Sequence, residues 1–245
     1  MKKNSKNSIY NLLMILLAIS FCFSGFMLYQ ENKNAKEEAK SYQKLEEYVE
    51  NEIKDEFPKV DFEALLAINP DTIGWIYIPD TNVNYPVVQA EDNDAYLRRL
   101  FDGTKGNSGT IFLDAACDKN LMDRHSILYG HHMKNGTMFA DVEKYKDQDY
   151  ANEHSKGYYI TPNAIYELTF FAGYVTDTLK DCWKLDFEND EEYLAWINEE
   201  KEASSFHSDY SCNANQRIMT LSTCSYDIED GRFVLLAIIE EKQMD

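Results

Sequence analysis

Cys224 ends the run Thr220-Leu221-Ser222-Thr223-Cys224, Arg232 follows eight residues on, and Tyr129-Gly130-His131-His132 lies far upstream. A thiolate attacks a carbonyl, an imidazole carries protons to and from a leaving group, and a guanidinium donates hydrogen bonds to a developing oxyanion. Alone, each piece is weak: a lone cysteine at a strand end is more often an inert small residue. Together they specify nucleophilic chemistry at an acyl carbon. No other stretch of the chain offers all three groups with a route to one place.

That chemistry needs elements that bring the three together. Cys224 closes a strand-like run and precedes the turn-prone segment 225–231. An antiparallel return would set Arg232, at the start of the last strand, beside the thiol, where a cation lowers a thiol pKa. The histidines follow a strand over 126–129 and Gly130, again at a strand-to-loop edge. Neighbours along an extended chain point to opposite sides, so at most one of His131 and His132 reaches the sulfur. His125, His131, His132, His154 and His207 show no metal-ligand spacing, and no metal or cofactor is expected. Cys117, Cys182 and Cys212 read as small buried or partly buried residues, with no C-x-x-C among the five cysteines.

Short β-rich runs occupy 74–78, 85–88, 109–113, 126–129, 157–161, 164–175, 217–223 and 232–239, with turn residues between them. About eight such strands predict a mainly β fold, closed or sandwiched, with added helices. Tyr193, Leu194, Trp196 and Ile197 at helical spacing predict a helix over 188–206 in a long connection. Upstream, Tyr42, Leu45, Tyr48, Val49 and Ile53 form a stripe that predicts an amphipathic helix over 31–57, closed by Pro58. A short helix over 61–68 with Asp61 as N-cap should follow.

The remaining signals concern location and partners. Residues 9–29 are almost uninterruptedly apolar, long enough to span a bilayer as a helix. Lys2, Lys3 and Lys6 precede them without an acid, which places the N-terminus in the cytoplasm and the rest outside. A cleaved signal peptide is the competing reading, but no A-x-A-like site follows a short apolar core. With 43 acidic against 24 basic residues and a net charge of -19, the chain is not built to bind nucleic acid.

Taken together, TLSTC, the following Arg232 and the upstream YGHH resemble the sortases, cysteine transpeptidases of Gram-positive cell surfaces. Ile68-Asn69-Pro70-Asp71-Thr72-Ile73-Gly74-Trp75, Tyr85-Pro86-Val87-Val88-Gln89, Asp92-Asn93, Tyr96-Leu97 and the stretch His131 to Phe139 are similar to the class B branch. The resemblance implies an eight-stranded sortase β-barrel over 69–245, with N-terminal helices over 30–68 and a helix in the long loop before the last strands; the apolar run and the lysines add a transmembrane anchor over 9–29 and a cytoplasmic 1–8. It implies Cys224 as nucleophile, His131 as acid/base and Arg232 as oxyanion stabiliser. By the same resemblance, Ser222, Leu97, Thr178 and Thr223 would fall at or near substrate-contacting positions of class B relatives. Ser225 departs from relatives that carry an acid after the cysteine, and the Cys-to-Arg spacing is shorter than in some class B members.

The activity so implied cleaves surface proteins at a C-terminal sorting signal, NPxTN-like or (S/P)PxTG-like, and passes them to a peptidoglycan amine at the outer face of the cell membrane. An extracytoplasmic cysteine peptidase that releases its product to water is the enzymatic alternative. A non-enzymatic binding or scaffold module would require an unreactive Cys224.

Overall fold

A computed structural model of the chain describes residues 3–50, 57–177, 182–227 and 230–242. It divides into two compact units, Met1–Ser41 and Tyr42–Asp245. The first is made by most of α1 (Lys3–Leu45), whose apolar part is exposed along its length. Among the described residues this is the one helix long and apolar enough to cross a membrane, with an 18-residue window of mean hydropathy 2.3.

The helix expected over 31–57 is not a separate element. It continues α1 and stops at Leu45, followed by a 3-10 turn at Glu46–Tyr48 and the strand β1 (Val49–Glu50). β1 pairs antiparallel with β2 (Lys59–Val60), and residues 51–56, including Ile53, lie outside the described residues. The stripe was real, but its burial is met differently. Tyr42, Leu45 and Val49 all join the core of the second unit, Val49 from an extended backbone rather than another helical turn. Tyr42 also donates its hydroxyl hydrogen to the Gly109 carbonyl. α2 (Phe62–Ile68) forms as expected, with Asp61 Oδ1 accepting from the Ala64 amide at 3.0 Å and Leu65 buried.

The eight remaining strands close a barrel. They are β3 (Thr72–Tyr77), β4 (Asn84–Val88), β5 (Ile111–Leu113), β6 (His125–Tyr129), β7 (Lys156–Ile160), β8 (Ile165–Thr176), β9 (Arg217–Cys224) and β10 (Arg232–Lys242). Around the barrel the order is β10-β8-β7-β3-β4-β5-β6-β9. Two neighbouring pairs, β4·β5 and β6·β9, are parallel, and the rest are antiparallel. Closure leaves no unpaired edge in this sheet.

β10 shows why the last strand is apolar throughout instead of alternating. Phe233, Leu235, Ala237 and Ile239 fill the barrel interior, while Val234, Leu236 and Ile238 are covered on the outside. The cover is α4 (Asp190–Glu202), through Tyr193, Trp196 and Ile197. A strand buried on both faces reads as a continuous hydrophobic run. α4 is shorter than the expected 188–206 because Asn189 caps it, accepting from the Glu192 amide at 2.9 Å, and the helix ends at Ala203.

One region was not foreseen. Phe139–Lys146 is a 3-10 helix, followed by α3 (Gln148–Glu153) with Asp147 as N-cap. Phe139, Val142 and Tyr145 recur every third residue, the 3-10 period, and all are buried.

His125, at the start of β6, is fully buried. Its Nδ1–H donates to the Lys184 carbonyl and its Nε2 accepts from Thr220 Oγ1, each at 2.7 Å. Burial pushes its pKa down from 6.5 to about 4, so the ring is neutral at physiological pH. An unfolded chain takes up that proton near pH 6.5, whereas the native barrel refuses it until about pH 4. Stability therefore rises with pH across this window and is complete above it. The gap is worth about 3 kcal/mol. Urea unfolding at pH 7 and pH 4.5 should show the wild type losing more stability than His125→Asn. Equal losses would mean that the native barrel accepts the proton on His125.

Candidate active site

The site sits where β6 and β9 leave the barrel and β10 enters it. β6 runs parallel to β9 with Tyr129 opposite Ser222, and β9 runs antiparallel to β10 with Cys224 opposite Arg232. The Gly130 amide donates to the Ser222 carbonyl at 3.1 Å, extending the β6·β9 pairing one step beyond the strand. His131 is the next residue. These pairings carry three residues, distant in sequence, to one rim.

There they border a cavity of about 520 Å³ lined by Leu97, His131, Trp183, Ser222, Thr223, Cys224 and Arg232, among others. Of the seven site residues expected from sequence, six therefore meet. Thr178 lies outside the described residues.

The parts differ in how they are held. His131 Nε2–H donates to the Leu97 carbonyl at 2.8 Å, which fixes the ring's orientation. Arg232 Nη1 donates to the carbonyls of Asp230 (3.1 Å) and Gly231 (3.0 Å), so its own loop holds the guanidinium at the rim. The Cys224 thiol is half-buried. Ser222 Oγ accepts from Trp183 Nε1 at a long 3.4 Å. Thr223 is placed differently from the rest: it shares a strand face with Leu221 and Met219 of the core, and its Oγ1 is buried without a hydrogen-bond partner. Its side chain packs more than it presents.

The two histidines separate as strand alternation suggests, although the chain there is no longer a strand. His131 faces the cavity, while His132 turns to Glu143, with Nδ1 2.9 Å from Oε2. The same Nδ1 is 3.1 Å from the Cys224 carbonyl oxygen, so His132 touches the backbone of the cysteine while standing outside this cavity.

Sequence reading missed part of the wall. Trp183 was not singled out, because a tryptophan in a connecting segment has no local signature. Asp114 also went unnoticed, yet its Oδ2 accepts from Asn93 Nδ2 (2.9 Å) and Tyr129 Oη (3.0 Å), both of which border the cavity. Burial and the Asp114 charge raise the Tyr129 pKa, so the hydroxyl keeps its hydrogen and donates. The Asp92-Asn93 pair was the available clue.

Residues 76–239 match the model of the Sortase domain family. The chain belongs to the sortase family. Sortase B of Staphylococcus aureus is 33% identical over 232 residues, 93% of this chain and 95% of the relative. Sortase B of Listeria monocytogenes is 32% identical over 236 residues, 92% and 94% respectively. A Staphylococcus aureus sortase B–substrate complex superposes with a TM-score of 0.77 at 32% identity, covering 86% of this chain and 100% of that one. Bacillus anthracis sortase B in complex with AAEK1 gives 0.76 at 35% identity, covering 86% and 99%. Like other sortases, this class B member is a cysteine transpeptidase built on an eight-stranded mixed barrel.

Gly130 is what lets this sortase place its histidine. A methyl group there would lie 2.4 Å from Ile111 Cδ1 and 2.6 Å from Phe139 Cδ2, both on fully buried side chains that would have to shift. Gly130→Ala should cost about 1–3 kcal/mol in thermal or urea unfolding. It should also slow turnover by displacing His131. Unchanged stability and turnover would show that the loop is not wedged at this position.

Proposed function

We propose that Cys224 is the nucleophile, His131 the acid/base and Arg232 the oxyanion stabiliser of a two-step acyl transfer. The single observation behind this assignment is that these three groups line one cavity at one end of the barrel. The Cys224 thiolate attacks the threonine carbonyl carbon of a sorting signal, and the oxyanion takes hydrogen bonds from Arg232. As the scissile C–N bond breaks, protonated His131 gives its proton to the departing amine. Its Nε2–H is held by Leu97, which leaves Nδ1 for this exchange. An acceptor amine then attacks the thioester, His131 takes a proton back, and the thiolate departs as the new amide forms.

Ser222, Leu97 and Thr178 contact the sorting signal in this reading, and the signal is NPxTN-like or (S/P)PxTG-like. Two related structures support the substrate classes: one Staphylococcus aureus sortase B is a substrate complex, and another sortase B is complexed with triglycine, which carries a free amine. The acceptor here is a cell-wall peptidoglycan amine. Residues 9–29 anchor the chain in the cell membrane, with Lys2, Lys3 and Lys6 on the cytoplasmic side and the barrel outside. Residues 1–8, 9–29, 30–68 and 69–245 then serve as cytoplasmic tail, anchor, spacer and catalytic barrel.

The test is peptide cleavage by the full chain in detergent, with and without an added amine, products being identified by mass. Cys224→Ala should give no product, and the amine should divert the wild-type product from acid to amide. Arg232→Ala should lower kcat by about 10²-fold or more. His131→Ala should lower it by at least about 10²-fold, with His132→Ala milder. Turnover by Cys224→Ala would remove the nucleophile from this assignment. Equal losses from the two histidines would undo the choice of His131. Acid as the sole product, even with excess amine, would make the chain a peptidase.

A further inference from the structure

His132 and Ser225 flank the site without entering the acyl-transfer scheme, and both converge on one side chain. Glu143, on the 3-10 helix Phe139–Lys146, is mostly buried, its side chain 14% exposed. Its Oε2 accepts from His132 Nδ1 at 2.9 Å, and its Oε1 accepts from Ser225 Oγ at 2.5 Å. Lys146 Nζ also donates to Oε1 and reaches Asp227 Oδ2 at 2.6 Å. Ser225 Oγ in turn accepts from the Asp227 amide at 3.3 Å.

Two further links tie the same pair of loops. His132 Nδ1 is shared with the Cys224 carbonyl oxygen at 3.1 Å, and Tyr226 Oη donates to the His132 carbonyl at 3.1 Å. The Tyr226 ring stands edge-on to the His132 ring, with centroids 5.1 Å apart. His132 is the residue after the proposed acid/base, and Ser225 the residue after the proposed nucleophile. The two loops follow different strands, β6 and β9, and have no covalent reason to keep a fixed spacing. A carboxylate accepting from both, at charge-assisted strength, supplies one. A serine at position 225 suits this arrangement because it donates to Glu143, where an acid would repel it.

We propose that Glu143 is a positioning residue that joins the His131–His132 loop to the Cys224–Ser225 loop, so that imidazole and sulfur keep one spacing through the reaction. The proposal rests on the assignment of Cys224 and His131 given above. Glu143 touches neither substrate nor sulfur and acts through its two neighbours. Misplacing a reacting group by an ångström or less lowers the rate of the chemical step while leaving substrate binding largely intact.

The experiment measures kcat and KM for peptide cleavage by the full chain in detergent. The variants are Glu143→Ala, Glu143→Gln, Ser225→Ala and the double Glu143→Ala/Ser225→Ala, with Cys224→Ala as blank and thermal unfolding of each recorded. Glu143→Ala should lose about tenfold or more in kcat with KM within about twofold, and Glu143→Gln, which keeps an acceptor oxygen, should recover part of it. The double variant should be no slower than Glu143→Ala alone, because both substitutions remove the same link.

A Glu143→Ala enzyme with kcat within about twofold of wild type overturns the inference. So do losses that multiply in the double variant. Should Glu143→Ala fail to fold, unchanged kcat in both Ser225→Ala and Glu143→Gln overturns it, and a loss in both supports it. An active Cys224→Ala blank overturns the nucleophile assignment and this inference together. A silent Glu143 with a dead blank overturns only the inference.

Discussion

Strand register governs the rest of this structure. β9 is held on one side by parallel pairing with β6 and on the other by antiparallel pairing with β10. Those two alignments set Gly130 and His131 just beyond Ser222, and Arg232 directly across from Cys224. Because side chains alternate along a strand, a slip of one residue would turn Cys224 toward the core and bring Thr223 to its place. The two-sided burial of β10 makes such a slip costly. Its interior and exterior apolar sets are each matched to a different partner layer, the barrel core and α4. That end of the barrel thus inherits its geometry from the core beneath it.

Around that frame, His131, Arg232, Asn93 and Tyr129 are set by polar partners and not by packing alone. The Leu97 carbonyl orients His131, Asp114 takes hydrogen bonds from Asn93 and Tyr129, and the 230–231 carbonyls hold Arg232. Below, His125 stays neutral and links β6 to Thr220 of β9 and to the Lys184 carbonyl, next to Trp183. In a chain of net charge -19, a guanidinium at the mouth is a local exception to the surrounding field.

Much of this was legible in the sequence. All eight barrel strands fall on the apolar, turn-bounded runs, since β-branched and aromatic segments between turn residues carry a strong local signal. Asp61 as a cap, and Tyr193, Trp196 and Ile197 as one helix face, were equally local. What escaped depended on partners distant in the chain. Tyr42, Leu45 and Val49 look like a continuing helix until the barrel wall and β2 claim Val49. Phe139, Val142 and Tyr145 carry a period of three that is easily taken for noise. Trp183 and Asp114 acquire their places only once the strands close. The choice of His131 over His132 came from family resemblance, because alternation alone says that the two diverge and not which one meets the sulfur.

The most direct test is intact-protein mass spectrometry of the full chain, quenched in acid during turnover of a sorting-signal peptide without added amine. A thioester at Cys224 should appear as a mass gain equal to the acyl half of the peptide, mapped by digestion to the segment holding residue 224 and discharged by amine. Peptide cleavage with no protein adduct at any time, or an adduct on another residue, would contradict covalent catalysis by this cysteine.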